Sequence, residues 1–394
     1  SNTVLMYIAE HIKDKKIMRN MLRLIPTCCT FFIHMKKYCK ENGLLKPKRT
    51  FNNLFPTTVN PISIPMDSIV NDDIVVEVLL EIATIICQLA KIASRIYGTN
   101  PSFEAILEEC KYDKEFDSLF FVTEMKKEYA FTITRTVKTL ITGDYFSAKR
   151  LLGITALMAR CSIKLLTLCK KFMIGECTDI ESSTPEAEIN RKLWVYYLKC
   201  ILMVSNHKVS ALLKLAIIPR KAVYGITGDL KKQISHLLDS TWDALGQSDY
   251  DAELERDCGI GHVSKGQYNL IFDNPILLRE IMISSFHNHI DSTKVCCKII
   301  WSLVISSWKH MGSLQPLLNI SIPELYNAYA EGRLLIDDEE LDKYTRCVML
   351  TVHIPTKHPL FNANLTFFQE LLGFLQIVTE LYKLPELEEF DEDR

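Results

Sequence analysis

The sequence predicts an all-α fold, organised as an α-solenoid-like stack of antiparallel helix pairs. Two observations carry this prediction. Only 14 of the 394 residues are Gly and only 14 are Pro, so few positions interrupt a helix. Apolar residues also recur at three- and four-residue spacing along most of the chain, which is typical of helices with a buried face.

The predicted helix pairs return about every 35–45 residues, which is the spacing of HEAT and armadillo repeats. No repeating consensus accompanies that spacing. We therefore expect a HEAT/armadillo-like arrangement with irregular repeats, and the resemblance concerns spacing alone.

The chain begins with a helical region that a proline-rich segment follows. Residues 1–42 are predicted to form N-terminal helices, and residues 43–70 a Pro-rich linker or strap. Proline fixes its own φ angle and disfavours a helical conformation in the residue before it. The prolines of the strap are Pro47, Pro56, Pro61 and Pro65.

A central helical stack is predicted over residues 71–257. Thr184 followed by Pro185 is typical of a helix N-cap with proline at the first helical position. The segment 145–174 is apolar on more than one face, which indicates a helix packed on several sides. Further helices are predicted at 185–204, 207–218, 229–247 and 249–257.

The last third of the chain contains three predicted segments. Residues 258–274, with three glycines, are expected to be an irregular loop. Residues 275–385 are expected to be a C-terminal helical region, and residues 386–394 an acidic tail. The helices of this region are predicted at 275–289, 292–311, 323–330, 338–353 and 365–383.

Composition excludes several classes of protein. Hydrophobic residues make up 48% and charged residues 24%, which are values of a folded chain rather than a disordered one. No run of about 20 uncharged apolar residues predicts a membrane span. No signal peptide is recognisable, and thirteen scattered Cys favour a reducing compartment. We therefore expect an intracellular protein, nuclear or cytoplasmic, and the opening Ser-Asn favours a fragment of a longer one.

Charge is distributed unevenly although the net charge is only −2. Residues 1–50 carry a net charge of +8 and residues 144–221 a net charge of +7, whereas residues 331–394 carry −8. If the curvature of the stack gathers the basic residues on one face, they form a groove for a phosphate backbone or an acidic peptide. The alternative is that they are solvated outer faces of helices. The candidates are Lys149, Arg150, Lys164, Lys170, Lys171, Arg191, Lys192, Lys208, Lys214, Arg220 and Lys221.

Four aromatic residues are candidates for a protein interface. Trp194 and Tyr197 lie three positions apart, and Trp301 and Trp308 lie seven apart on one helical face. Exposed Trp and Tyr dominate interface hot spots. The same spacing is also typical of a helical core, which is the commoner outcome.

Catalytic and metal-binding patterns are weak. Cys258, His262, His287 and His289 are candidate zinc ligands, but the chain lacks the C-x2-C pairs of strong zinc signatures. Gly261 and Gly266 have the spacing of a phosphate-binding loop, yet Gln267 stands where that loop requires Lys. No activated nucleophile is recognisable. We expect no cofactor, no bound metal and no enzymatic activity.

These observations predict a non-catalytic intracellular helical scaffold or adaptor. It would bind partner proteins through a helical groove within a larger complex. The alternative is a nucleic-acid-binding helical protein that uses the basic residues of 1–50 and 144–221. The sequence leaves the identity of the partner and the oligomeric state open.

Overall fold

The structure is a computed structural model, and almost all of the residues it describes are helical. The described residues are 24–42, 81–86, 88–89, 92, 123–142, 152–207, 209–210, 216–246, 250–286, 289–334, 336–352, 354–355 and 358–383. None of them belongs to a named strand, and Tyr250 and His262 form an isolated antiparallel bridge. The all-α class predicted from the sequence is confirmed.

Thirteen helices have their bounds within the described part of the chain. They are α1 (Leu24–Glu41), α2 (Thr123–Thr142), α3 (Leu152–Glu176), α4 (Pro185–Asn206), α5 (Ile217–Thr227), α6 (Leu230–Gly246), α7 (Ala252–Cys258), α8 (Lys265–Phe272), α9 (Pro275–Ser285), α10 (Ile290–Met311), α11 (Gln315–Ala330), α12 (Asp338–Thr351) and α13 (Leu360–Lys383).

The chain forms two compact units, 1–237 and 238–394, and the division falls inside α6. The predicted strap at 43–70 and the predicted acidic tail at 386–394 lie outside the described residues. Their organisation stays a prediction.

In the first unit, α2 packs against α1, α3 and α4, and α3 also packs against α4 and α5. The start of α4 confirms the predicted cap, because the Thr184 side chain accepts a hydrogen bond from the Ala187 amide at 3.1 Å. Pro185 occupies the first helical position. A proline there sacrifices no intrahelical hydrogen bond.

Buried aromatic side chains hold α4 against the preceding helix and loop. The Trp194 indole donates a hydrogen bond to the Cys177 carbonyl at 2.8 Å. The Tyr197 hydroxyl donates to the Leu166 carbonyl, also at 2.8 Å. Both rings are fully buried. They therefore supply apolar packing and, at the same time, donors for backbone carbonyls in the core.

A cluster of four thiols lies in the core of the first unit, contributed by Cys29, Cys169, Cys177 and Cys200. Burial raises the pKa of Cys29 and of Cys200 to about 12. Burial also raises the pKa of Cys169 well above its ordinary value. No cysteine in the described ranges forms a disulfide.

In the second unit, α10 packs against α8, α9, α11 and α12, and α11 and α12 pack against α13. The buried Trp301 indole donates to the Cys258 carbonyl at 2.9 Å. Arg333 and Glu280 form a bidentate ion pair, with nitrogen-to-oxygen distances of 2.6 and 2.7 Å. This pair joins α9 to the turn after α11.

Residues 258–274 are not the irregular loop that the glycines suggested, because they contain α8. The helix begins with a capping box in which Ser264 and Gln267 each bond the other's backbone. Gly261 is required by packing, since a Cβ atom there would lie 2.7 Å from the Tyr250 ring.

Two further helices differ from the sequence expectation. The helix predicted from residue 323 begins at Gln315 instead and contains Pro323, which forfeits one helical hydrogen bond but is exposed. The helix expected at 207–218 lies at Ile217–Thr227.

Lys231 offers a test of the packing in the first unit. It is 1% exposed, and its ammonium group donates to the carbonyl and the hydroxyl of Ser205, each at 2.9 Å. We expect Lys231→Met to lower the free energy of unfolding by about 1–3 kcal/mol, because buried acceptors at the end of α4 lose a charged donor. Urea denaturation measures this, and a midpoint equal to the wild type contradicts it.

The neighbouring Lys232 is the matched control, since it is exposed on the same helix. We expect Lys232→Met to change the free energy of unfolding by less than about 0.5 kcal/mol.

Candidate cationic surface of the first unit

Two long runs of the first unit contain almost no acidic residues. Residues 129–175 include eight Lys or Arg, and their only acid is Asp144. Residues 189–228 include seven Lys or Arg and no acid. Lys and Arg are rarely buried, so helices with this composition present positive charge wherever they face solvent.

Helices α2 and α4 lie side by side and run in the same direction. Near their first turns, the ammonium group of the buried Lys127 lies 2.7 Å from the carboxylate of the exposed Glu186. Further along both helices, the Cys200 thiol donates to the Thr134 carbonyl at 3.3 Å. These two contacts fix the register of one helix against the other.

The exposed side of this helix pair carries three cations and two aromatic rings. On α2, Phe131, Arg135 and Lys138 share one face because they are spaced by four and three residues. On α4, Tyr196 and Lys199 are three residues apart, and the Tyr196 ring meets Phe131 edge-on at a centroid distance of 5.9 Å. We call these five residues the α2–α4 cationic face.

Two of these cations, one from each helix, act on the pKa of the Cys200 thiol. Burial raises the pKa of its thiol, and the positive charges of Lys138 and Lys199 partly oppose that rise. Lys138 comes from α2 and Lys199 from α4, so charge from both helices converges at their contact.

The sequence-predicted cations divide between surface and structural roles. On α3, Lys164 lies one turn after Arg160 on the same face, whereas Lys170, six residues further along, is turned away from Lys164 by about 120°. Lys164, Lys170 and Arg220 are partly exposed, and Lys221 is exposed. The structure therefore leaves these four candidates at least partly exposed on α3 and α5.

Arg191 and Lys192 are adjacent but differ in role. The Arg191 guanidinium donates to the Ile180 carbonyl at 3.0 Å and to the Ser182 carbonyl at 2.8 Å. It therefore holds the loop before α4. Lys192 is exposed and pairs with Glu188 one turn earlier, at 2.6 Å. An exposed pair of this kind contributes little to stability.

Several candidate cations cannot be placed. Lys149, Arg150, Lys208 and Lys214 lie outside the described residues, as does the side chain of Lys171. Their part in a basic surface stays a prediction.

Three of the four aromatic candidates belong to the core. Trp194, Tyr197 and Trp301 are each 0% exposed, so they cannot contact a partner while the fold is intact. Trp308 is partly exposed. The spacing that suggested an interface reflects helix packing at the three buried positions.

The weak metal candidates have structural surroundings. The Cys258 thiol is buried, and burial raises its pKa to about 11. The His262 ring lies 5.1 Å from the Tyr250 ring, and His289 is the N-cap residue of α10. His287 lies outside the described residues. Within the described ranges, no three His, Cys, Asp or Glu side chains are grouped as metal ligands.

The glycine-rich segment, whose spacing resembles a phosphate-binding loop, also contributes to packing. The Gln267 side chain, at the position where a phosphate-binding loop requires Lys, donates to the Trp242 carbonyl at 2.6 Å. This hydrogen bond joins the start of α8 to α6, and it keeps the Gln267 side chain in the core.

Three surface cations were missed by sequence reasoning, namely Arg135, Lys138 and Lys199. A search for dense clusters of Lys and Arg passes over them because they are spread along two helices. The absence of acids around them is the signal that could have found them.

The described helices include none that combines the length and the apolar character needed to cross a bilayer.

The contrast between Arg191 and Lys192 can be tested directly. We expect Arg191→Met to lower the free energy of unfolding by about 1–2 kcal/mol, because two loop carbonyls lose their donor. Lys192→Met, the matched control, should change it by less than about 0.5 kcal/mol. Urea denaturation of the two variants measures the difference, and equal midpoints would show that Arg191 does not hold the loop.

Comparison with known proteins gives one informative similarity. The chain is 44% identical over 393 residues to DOCK-like protein 1 of Saccharomyces cerevisiae. The alignment covers 100% of this chain but 20% of that protein, so the chain spans about a fifth of the length of the curated relative it matches. No family model and no solved structure matches the chain.

Proposed function

We propose that this chain is a non-catalytic helical scaffold segment of a longer DOCK-like protein, and that it binds partner proteins within a larger complex. The similarity to DOCK-like protein 1 over a fifth of that protein's length supports the first part. The helical composition of both units supports the second. An α-solenoid-like stack is part of the proposal, because the described helices that pack against each other within a unit lie one or two places apart in the chain.

The α2–α4 cationic face is the observation that carries the binding proposal. Its cations come from two helices held in fixed register, and its rings add an apolar surface beside them. Beyond the first turns of α2 and α4, the runs 129–175 and 189–228 contain a single acid, Asp144. The complementary partner is an acidic segment that carries apolar side chains, since complementary charge steers association and fixes register.

The proposal that the chain is not an enzyme rests on its titratable groups. The buried thiols at Cys29 and Cys200 have pKa values of about 12, so they stay protonated near neutral pH. A protonated thiol is a poor nucleophile and a poor metal ligand.

The cysteines also support an intracellular location, nuclear or cytoplasmic. Those in the described ranges form no disulfide and are mostly buried. Such thiols are typical of proteins in reducing compartments.

Nucleic-acid binding is the second candidate, and the two acid-poor runs of the first unit favour it. Positive surface free of acids attracts a phosphate backbone. Binding of this kind weakens steeply as salt displaces the protein from phosphates.

Charge reversal on the α2–α4 cationic face tests the main proposal. We expect Arg135→Glu combined with Lys199→Glu to weaken capture of specific partner proteins from native extract by about tenfold, or 1.4 kcal/mol. Both residues face solvent at least in part, so the fold should persist. Quantitative affinity purification with the tagged 394-residue chain measures the loss.

The matched control is Lys232→Glu combined with Lys294→Glu. It changes the net charge equally but alters exposed lysines outside the face. Equal partner recovery from the two double variants would argue against the face as the binding site.

A gel-shift series separates the second candidate from the first. If the chain binds nucleic acid, duplex or single-stranded DNA should shift at low salt and be released as salt rises. No shift at low salt, or binding that ignores salt, removes this candidate.

A further inference from the structure

Helix α5 is held to the first unit along one narrow side. Only Val223 and Thr227 among its residues are buried, at 1% and 3% exposure. They are four positions apart, one above the other, on the side that faces α3. The Arg160 guanidinium of α3 donates to the Ile226 carbonyl at 2.8 Å and so fixes the C-terminal end of the helix.

The rest of α5 exposes large apolar side chains. Ile218 is 82% exposed, Ile217 61% and Tyr224 57%. Ile218 precedes Thr227 by nine residues, which places it on the opposite side of the helix. Single exposed apolar residues are ordinary, but several on one short helix mark an interaction site. We call Ile217, Ile218, Lys221 and Tyr224 the α5 crest.

Positive charge accompanies this apolar surface. Lys221 follows Ile217 by four residues and precedes Tyr224 by three, so it lies within the crest. Arg220 flanks it and is half-exposed. No acidic residue occurs between 189 and 228. The complementary surface must therefore be apolar and anionic at the same time.

The composition of the crest favours a lipid surface over a protein groove. Lys221 lies at the centre of the crest, and lysine is depleted at the buried centres of protein interfaces. Arg and aromatic residues are enriched there instead, as they are on the α2–α4 cationic face with Arg135, Phe131 and Tyr196. At a bilayer surface, lysine instead extends its charged end to the headgroups while its stem lies along apolar chains. Tyrosine is enriched at the same depth.

We infer that α5 binds the surface of an anionic phospholipid bilayer, which goes beyond the proposed protein-binding function. Ile217 and Ile218 enter the boundary between headgroups and acyl chains. Lys221 and Arg220 contact the lipid phosphates and carboxylates, and Tyr224 lies at the headgroup level. The helix rests on the bilayer and does not cross it.

Co-sedimentation of the 394-residue chain with vesicles tests the inference. We expect binding to vesicles of phosphatidylcholine mixed with phosphatidylserine, a decrease with salt, and little binding to phosphatidylcholine alone. Ile218→Ser should weaken binding by about tenfold, because one buried aliphatic side chain is lost. Lys221→Gln should weaken it by about fivefold.

Leu350→Ser is the matched control, because Leu350 is 81% exposed on α12 in the second unit. It should bind the mixed vesicles like the wild type. Circular dichroism checks that all three variants stay helical.

Four outcomes would overturn the inference. In the first two, the wild type is not pelleted by the mixed vesicles, or it binds phosphatidylcholine alone equally well. Ile218→Ser could bind like the wild type, or Leu350→Ser could lose as much binding as Ile218→Ser. Loss of a bound protein by Ile218→Ser without any vesicle binding would assign the crest to a protein partner instead.

Discussion

The structure depends on one constraint. Backbone carbonyl groups that are buried at helix ends and in the adjoining loops need hydrogen-bond donors. A helix leaves its last four carbonyls without intrahelical donors, and burying one unpaired costs about 1–3 kcal/mol. In this chain, long side chains reach across to such carbonyls from neighbouring helices. The donors are the indoles of Trp194 and Trp301, the ammonium of Lys231, and the guanidinium groups of Arg160 and Arg191. The same bonds that satisfy the backbone also fasten one helix to the next.

This constraint explains why residue type alone is a poor guide to function here. Trp and Arg are enriched at interfaces, but they are also the side chains best suited to reach a carbonyl from a distance. Trp194 was a candidate for a protein interface and Arg191 for a basic groove, and both side chains instead donate to backbone carbonyls within the fold. Arg135 and Lys199, which attracted no attention as individuals, remain at the surface. In such a chain, a functional surface is better sought among the side chains that remain exposed once the buried carbonyls have their donors.

The fold class and many helix bounds follow from local chemistry, and the helix bounds that were predicted wrongly also have local causes. The pair Thr184–Pro185 started α4 as expected, because capping and proline geometry are set within one turn. Pro323 misplaced the start of α11, since an exposed proline costs a helix less than tertiary packing returns. Ser264 and Gln267 have the spacing of a capping box, but the glycines around them favoured the prediction of a loop. The candidate surface was harder to foresee, because the register of α2 against α4 depends on contacts between residues far apart in sequence.

Because of the buried thiol cluster, refolding of this chain depends on the redox conditions around it. Cys29, Cys169 and Cys200 come from α1, α3 and α4, and Cys177 directly follows α3. The four thiols are protected only while these helices are assembled. Once the core opens, burial no longer raises their pKa, and each becomes an ordinary thiol that can be oxidised. A disulfide formed at that moment joins residues that the folded core keeps as separate, reduced side chains. We therefore expect refolding to be reversible where reductant is plentiful and to be trapped by such disulfides where reductant is scarce.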